Sequence, residues 1–189
     1  MSTAETVKND FLKGFVKIYR EHKLTKQTEL LVDKSNMILK GGAKLLAQSL
    51  SGDAGSKIWG MYIGFNNSAD FNKPLITVDY GNPFNKLNEI SPSFGYLREP
   101  LTFPASFSSS EGYDKNTVLF STMITSASSV GGAEFQNGSS YIYEVGLIAA
   151  PEPSDISKDT VFSRTNFNQI LYDSSYNFTI TWGVRILVT

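Results

Sequence analysis

From Tyr176 to Thr189 the chain alternates without a break. Tyr176, Phe178, Ile180, Trp182, Val184, Ile186 and Val188 fall on one side; Asn177, Thr179, Thr181, Gly183, Arg185, Leu187 and Thr189 fall on the other. Period two over such a length predicts a β-strand with one face in a core. At ~3.3 Å per residue the strand would run for roughly 45 Å, far beyond the usual five or six residues. A strand this long is expected to be paired, because an open edge of that length invites aggregation.

Shorter runs of the same kind predict further strands at Phe15–Arg20, Glu29–Asp33, Tyr96–Phe103 (interrupted by Pro100), Thr117–Ile124, Tyr141–Ala150 and Val161–Phe167. In Ile58–Phe65 the residues Trp59, Met61, Ile63 and Phe65 share one face, and Gly60 and Gly64 on the other invite a close neighbour. One helix is expected near residues 37–51. Asn36 reads as its N-cap, Leu39, Ala43, Leu46 and Leu50 form a helical stripe, and Gly52 stands where the helix would end. Gly41 and Gly42 either weaken the first turn or admit another backbone. Residues 1–13 read as a short helix or an N-terminal arm, and 14–189 as a single β domain with a long polar excursion at 66–94. That excursion holds one apolar run, 75–80, and a Ser/Gly loop spans 125–140. About eight strands and one helix in regular succession predict a mainly β protein, an antiparallel β-sandwich of jelly-roll-like type.

Composition narrows this. The chain has 189 residues, enough for one domain with a proper core, and its 13 Phe and 9 Tyr favour strands. Without cysteine there is no disulfide and no thiolate metal site, which fits synthesis in a reducing cytoplasm. No stretch approaches 18 apolar residues and no apolar run follows the first lysines, so neither a membrane span nor a signal peptide is expected. Asn-x-Ser/Thr triplets at Asn66, Asn137 and Asn177 therefore carry little weight. The net charge of −1 is unevenly placed: residues 1–50 hold nine basic against five acidic side chains, and residues 51–189 hold eight against thirteen. A basic front and an acidic body would favour contact between copies, although charges that solvate two faces account for the split as well.

The search for chemistry yields little. His22 is the one histidine and lies in a charged run, which nearly excludes a Ser-His-Asp triad and excludes a histidine-based metal site by count. Neither GxxxxGK nor GxGxxG occurs. Glu144 is the best candidate for a special acid, because it shares a strand face with Ile142 and Ile148. A buried carboxylate needs a partner or a shifted pKa, and an ion pair with Arg164 or Arg98 is the expected outcome. The cluster Asp79, Asn82, Asn85, Asn88 and Glu89 offers oxygens to Ca²⁺ but lacks the order of a known calcium loop and reads as a polar loop. Tyr80, Tyr96 and Tyr113 would stack on sugars if exposed; ordinary packing explains them equally. An acidic body does not favour nucleic acid.

Five stretches, in order, resemble small structural proteins of tailed-bacteriophage virions, of the tail, neck, baseplate or capsid-decoration β-sandwich type. They are the run 34–52 (KSNMILKGGAKLLAQSLSG), the glycine-rich strand 58–65 (IWGMYIGF), the strand entry Gly95-Tyr96-Leu97-Arg98, the Glu-x-Gly-Leu strand 142–147 followed by the Ser-Arg strand 161–167, and the closing strand. The resemblance covers roughly residues 28–189 and implies a non-enzymatic virion component. It would be made in the host cytoplasm and assemble with itself and with neighbouring virion proteins, with no catalytic residues, metal or cofactor. Within that frame Glu144 and Arg164, on successive strands, are expected to form a buried ion pair that sets strand register. The alternatives are a carbohydrate-binding sandwich that recognises host-surface glycans and a jelly-roll capsid subunit.

Overall fold

The computed structural model describes residues 12–38, 40–53, 57–66, 95–108, 116–125, 140–149 and 159–186. The arm before residue 12, the excursion 67–94 and the loop 126–139 lie outside them. Among the described residues there are nine strands: β1 (Leu12–His22), β2 (Thr28–Ile38), β3 (Ile58–Asn66), β4 (Gly95–Pro100), β5 (Phe103–Ser108), β6 (Thr117–Ile124), β7 (Ser140–Ala149), β8 (Thr160–Tyr172) and β9 (Tyr176–Ile186). One helix, α1 (Lys40–Leu50), follows β2. The protein is mainly β, with two antiparallel sheets, β2-β1-β9-β6-β5 and β4-β3-β7-β8, face to face as in a β-sandwich.

The alternating C-terminal run becomes the middle of its sheet. β9 pairs with β1 on one side and β6 on the other, so its backbone groups are satisfied along almost its whole length. Phe178, Ile180, Trp182 and Val184 point into the core with Val16, Ile18 and Ile124, and meet Met61, Ile63, Val145, Leu147 and Phe162 from the facing sheet. β1 begins at Leu12, inside the stretch expected to be an arm, and β8 runs on to Tyr172, five residues past the predicted end. The predicted strand Tyr96–Phe103 is not one strand but is divided between β4 and β5.

Both sheets are joined at corners. At the first, β2 leaves β1 after Asn36, and Met37 and Ile38 pair with Arg164 and Ser163 of β8. At the second, Pro100 ends β4, since it has no N–H to continue a ladder. The next two amides go to opposite sheets: Leu101 donates to the Trp59 carbonyl at 3.1 Å and Thr102 to the Ser121 carbonyl at 3.1 Å. The Thr122 hydroxyl donates to the Pro100 carbonyl at 2.7 Å, and the Met123 amide to the Thr102 hydroxyl at 2.8 Å.

The helix exists but starts later and faces differently than predicted. Asn36 is not its N-cap; it lies in β2 opposite Gly14, and its side chain fills the space that a Cβ on Gly14 would take. Ladder pairing of residues 37 and 38 with β8 outweighs the local capping signal. Gly42 and Leu45 are buried, whereas Ala43 and Leu50 of the predicted stripe are exposed. The C-terminus is as expected: Gly52 adopts φ 87°, its amide bonds the Ser49 carbonyl, and the Asp53 amide bonds the Gln48 carbonyl, a Schellman closure. Gly42 is where another backbone comes close, because a Cβ there would strike the Phe162 carbonyl oxygen. Gly42→Ala is therefore expected to cost ~1–3 kcal/mol through overpacking, despite the better helix propensity of alanine. A urea midpoint at or above that of the parent would show that α1 can lift away freely.

Candidate functional site

Strand register places Arg98, Tyr62, Gly146 and Arg164 in one row across β4, β3, β7 and β8. Gly146 lies between the Tyr62 and Arg164 positions, and a Cβ there would strike the Tyr62 ring and crowd the Ser163 carbonyl oxygen. The missing side chain lets the tyrosine cross over β7. Its hydroxyl donates to Glu144 Oε1 at 2.5 Å, and Arg164 Nη2 donates to Glu144 Oε2 at 3.1 Å. All three side chains are buried. Glu144 and Arg164 are thus together, not directly opposite but on a diagonal, since Glu144 pairs with Asn166 and Arg164 with Gly146.

Arg98, the other arginine considered for Glu144, goes elsewhere. It grips Asp159 through two contacts, Nε to Oδ2 at 2.6 Å and Nη2 to Oδ1 at 2.7 Å, and its guanidinium lies 4.9 Å from the centre of the Trp59 ring. Asp159 is fully buried immediately before β8. Nothing in its local sequence marks it: it is an acidic residue in a polar segment, and its importance arises only from where β8 begins. These four charges sum to zero. The arrangement ties four neighbouring strands to each other.

Burial pushes the Glu144 carboxyl above its ordinary 4.5, against the opposing pull of Arg164 and of the Tyr62 hydroxyl. Between 4.5 and the raised value the folded chain holds a proton that the unfolded chain releases, so this group's contribution to stability falls as pH rises through that window. Asp173 works in the opposite sense. Hydrogen bonds from Ser175 hold its carboxyl low, so its contribution is present above the ordinary carboxylate range and lost as pH falls through the folded value. Comparing stability from pH 4 to pH 7 for the parent and Glu144→Gln should isolate the first effect: the variant loses the decline on raising pH. Identical pH profiles would contradict it.

A second feature lies at one pole of the sandwich. Beneath α1 is an apolar cavity of about 350 Å³, lined among others by Leu45, Leu46 and Ser49 of the helix, Leu12 and Val184 of one sheet, and Phe162 of the other. Its lining also includes the exposed Lys57. Sequence patterning missed it, because the cavity is formed by residues from seven separate segments.

Other candidates fall elsewhere. His22 sits at the β1–β2 turn, where Nδ1 accepts the Leu24 and Thr25 amides at 3.3 and 3.2 Å and the ring meets Tyr176 edge-on. The cluster from Asp79 to Glu89, with Tyr80 and Tyr113, lies outside the described residues; Tyr96 falls in β4. Among the described residues no group of three or more His, Asp or Glu is placed to hold a metal ion, and no helix is long and apolar enough to cross a membrane. No protein-family model, curated protein or solved structure matches the chain.

Proposed function

We propose that this chain is a non-enzymatic structural component of a bacteriophage virion, assembling with copies of itself and with neighbouring tail, neck, baseplate or capsid proteins. One observation carries this reading: the residues of the phage-like stretches are spent on holding strands. Gly42 seats α1 on β8, Gly146 makes room for Tyr62, and Glu144 and Arg164 bind each other across the sheet. The closing strand is the centre of a sheet. Such a design supports a shape-carrying role, in which a stiff sandwich presents its ends and loops to neighbours. The jelly-roll-like form of the sandwich is part of the same proposal. It is supported by the passage of the chain between sheets from β2 to β3 and again from β6 to β7.

The test is light scattering on the size-exclusion peak of the purified chain, with negative-stain images of the same fraction. A discrete symmetric oligomer, rings or tubes are expected. A strict monomer that instead binds host-surface glycans would replace this reading with a carbohydrate-binding one, and closed spherical shells would replace it with a capsid subunit.

A further inference from the structure

We infer that the β1–β2 turn is an acid-sensitive switch, locked while His22 is neutral and released when its imidazole takes a second proton. The lock is geometric. His22 Nδ1 accepts the Leu24 amide at 3.3 Å and the Thr25 amide at 3.2 Å. A ring nitrogen that accepts N–H groups carries no hydrogen, so the single imidazole proton is on Nε2. A second proton lands on Nδ1, makes it a donor and sets it against both amides. Asn, Asp and Ser ordinarily supply the side-chain acceptor that closes a turn, and an asparagine there would not titrate. Histidine is the side chain whose ordinary titration falls between pH 5 and 8, so its use here couples the turn to mild acid.

The adjoining β8–β9 turn supplies the contrast. There Asp173 Oδ1 accepts the Ser175 amide at 2.7 Å. Hydrogen bonds from Ser175, and after them the charges of His22 and Arg20, hold the Asp173 carboxyl low, so mild acid leaves this closure intact. The same carboxylate is an attractive partner for a protonated His22. The other charges around the ring are engaged. Glu21 pairs with Lys26 at 3.3 Å and Glu29 with Arg20 at 2.6 Å. The Arg20 guanidinium lies 4.8 Å from the centre of the Tyr176 ring, which meets His22 edge-on, and the Lys23 ammonium donates to the Ser174 carbonyl. Three backbone bonds do not depend on the imidazole: His22 amide to Gln27 carbonyl, Lys26 amide to His22 carbonyl and Lys23 amide to Ser175 carbonyl, each at 2.9 Å. Release is thus confined to Leu24 and Thr25, with the ring drawn from their amides toward Asp173. The result is a pole of the sandwich whose surface differs between neutral and mildly acid surroundings.

The test is proton–nitrogen NMR of the full chain and of His22→Asn between pH 7.5 and pH 5. The Asn side-chain oxygen stands as many bonds from Cα as His Nδ1 does, so the variant keeps an acceptor and loses the titration. In the parent, the Leu24 and Thr25 amide signals are expected to move together with the His22 ring signals in one titration. Their protection from exchange, corrected for the intrinsic effect of pH, is expected to fall roughly tenfold, the order set by losing two neutral hydrogen bonds. The Ser175 amide should stay as it is. In His22→Asn both turn amides should remain protected at either pH, with unchanged circular dichroism. Parent amides that keep their protection while the ring takes its proton would overturn the switch. So would an equal acid response in His22→Asn, which would assign it to another group, or an equal response at Ser175, which would make it a general loosening of the pole.

Discussion

Glu144→Ala is expected to destabilise the fold by ~3–5 kcal/mol, because it leaves the Arg164 guanidinium buried with its carboxylate partner gone. In a domain of this size that corresponds to a fall in melting temperature on the order of 10 °C. The Tyr62 hydroxyl loses its acceptor in the same step. The informative companion is the double replacement Glu144→Leu with Arg164→Met. Both charges then disappear together, and the desolvation penalty of each disappears with them, so most of the loss should be recovered, short of the part due to the Tyr62 hydroxyl, whose Glu144 acceptor is still missing. What the double variant should lose is specificity. Glu144 and Arg164 meet on a diagonal only when β7 and β8 are in the observed register, and a slip of one residue would turn each side chain to the opposite face. Thermal melts with amide exchange across β7 and β8 read both quantities. A Glu144→Ala chain that melts like the parent would remove the ion pair from any account of this fold.

Trp182→Ala is expected to cost a similar ~3–5 kcal/mol, for a different reason. Trp182 is fully buried in the central strand, opposite Val16 of β1 and Phe120 of β6, and its removal empties space between the sheets. The control is Thr181→Ala on the other face of β9. That side chain is half-buried and meets the Ser121 hydroxyl at 3.3 Å, so about 1 kcal/mol or less is expected. Urea unfolding of the pair measures how strongly one face of β9 outweighs the other. Equal losses for the two variants would contradict the placement of the core.

Much of the architecture was legible in the chain. The alternation of Phe178, Ile180, Trp182 and Val184 identified the core face of β9, and Thr117–Ile124 was read with the observed ends. The charged pair was half legible: Glu144 stood out because its strand is otherwise apolar, and Arg164 was one of two arginines considered. Choosing between Arg164 and Arg98 required knowing that Asp159 reaches Arg98, which no local pattern encodes. The helix shows the same division. Gly52 ended it as predicted, since a left-handed residue at a C-terminus is a local need. Its start was misread, since Asn36 has the chemistry of a cap but is held in β2 by pairing with Gly14.

By itself, then, the sequence determined which segments extend, which face of β9 is apolar, where the helix stops and that a buried carboxylate would need a cation. These follow from periodicity and from the needs of single residues, which act over a few positions. Tertiary structure alone decided that β9 is central, that residues 100–103 turn a corner between sheets, which arginine each carboxylate takes, and that a cavity opens beneath α1. Those facts depend on which distant strands become neighbours, and the energy that selects them is shared among contacts across the whole sandwich.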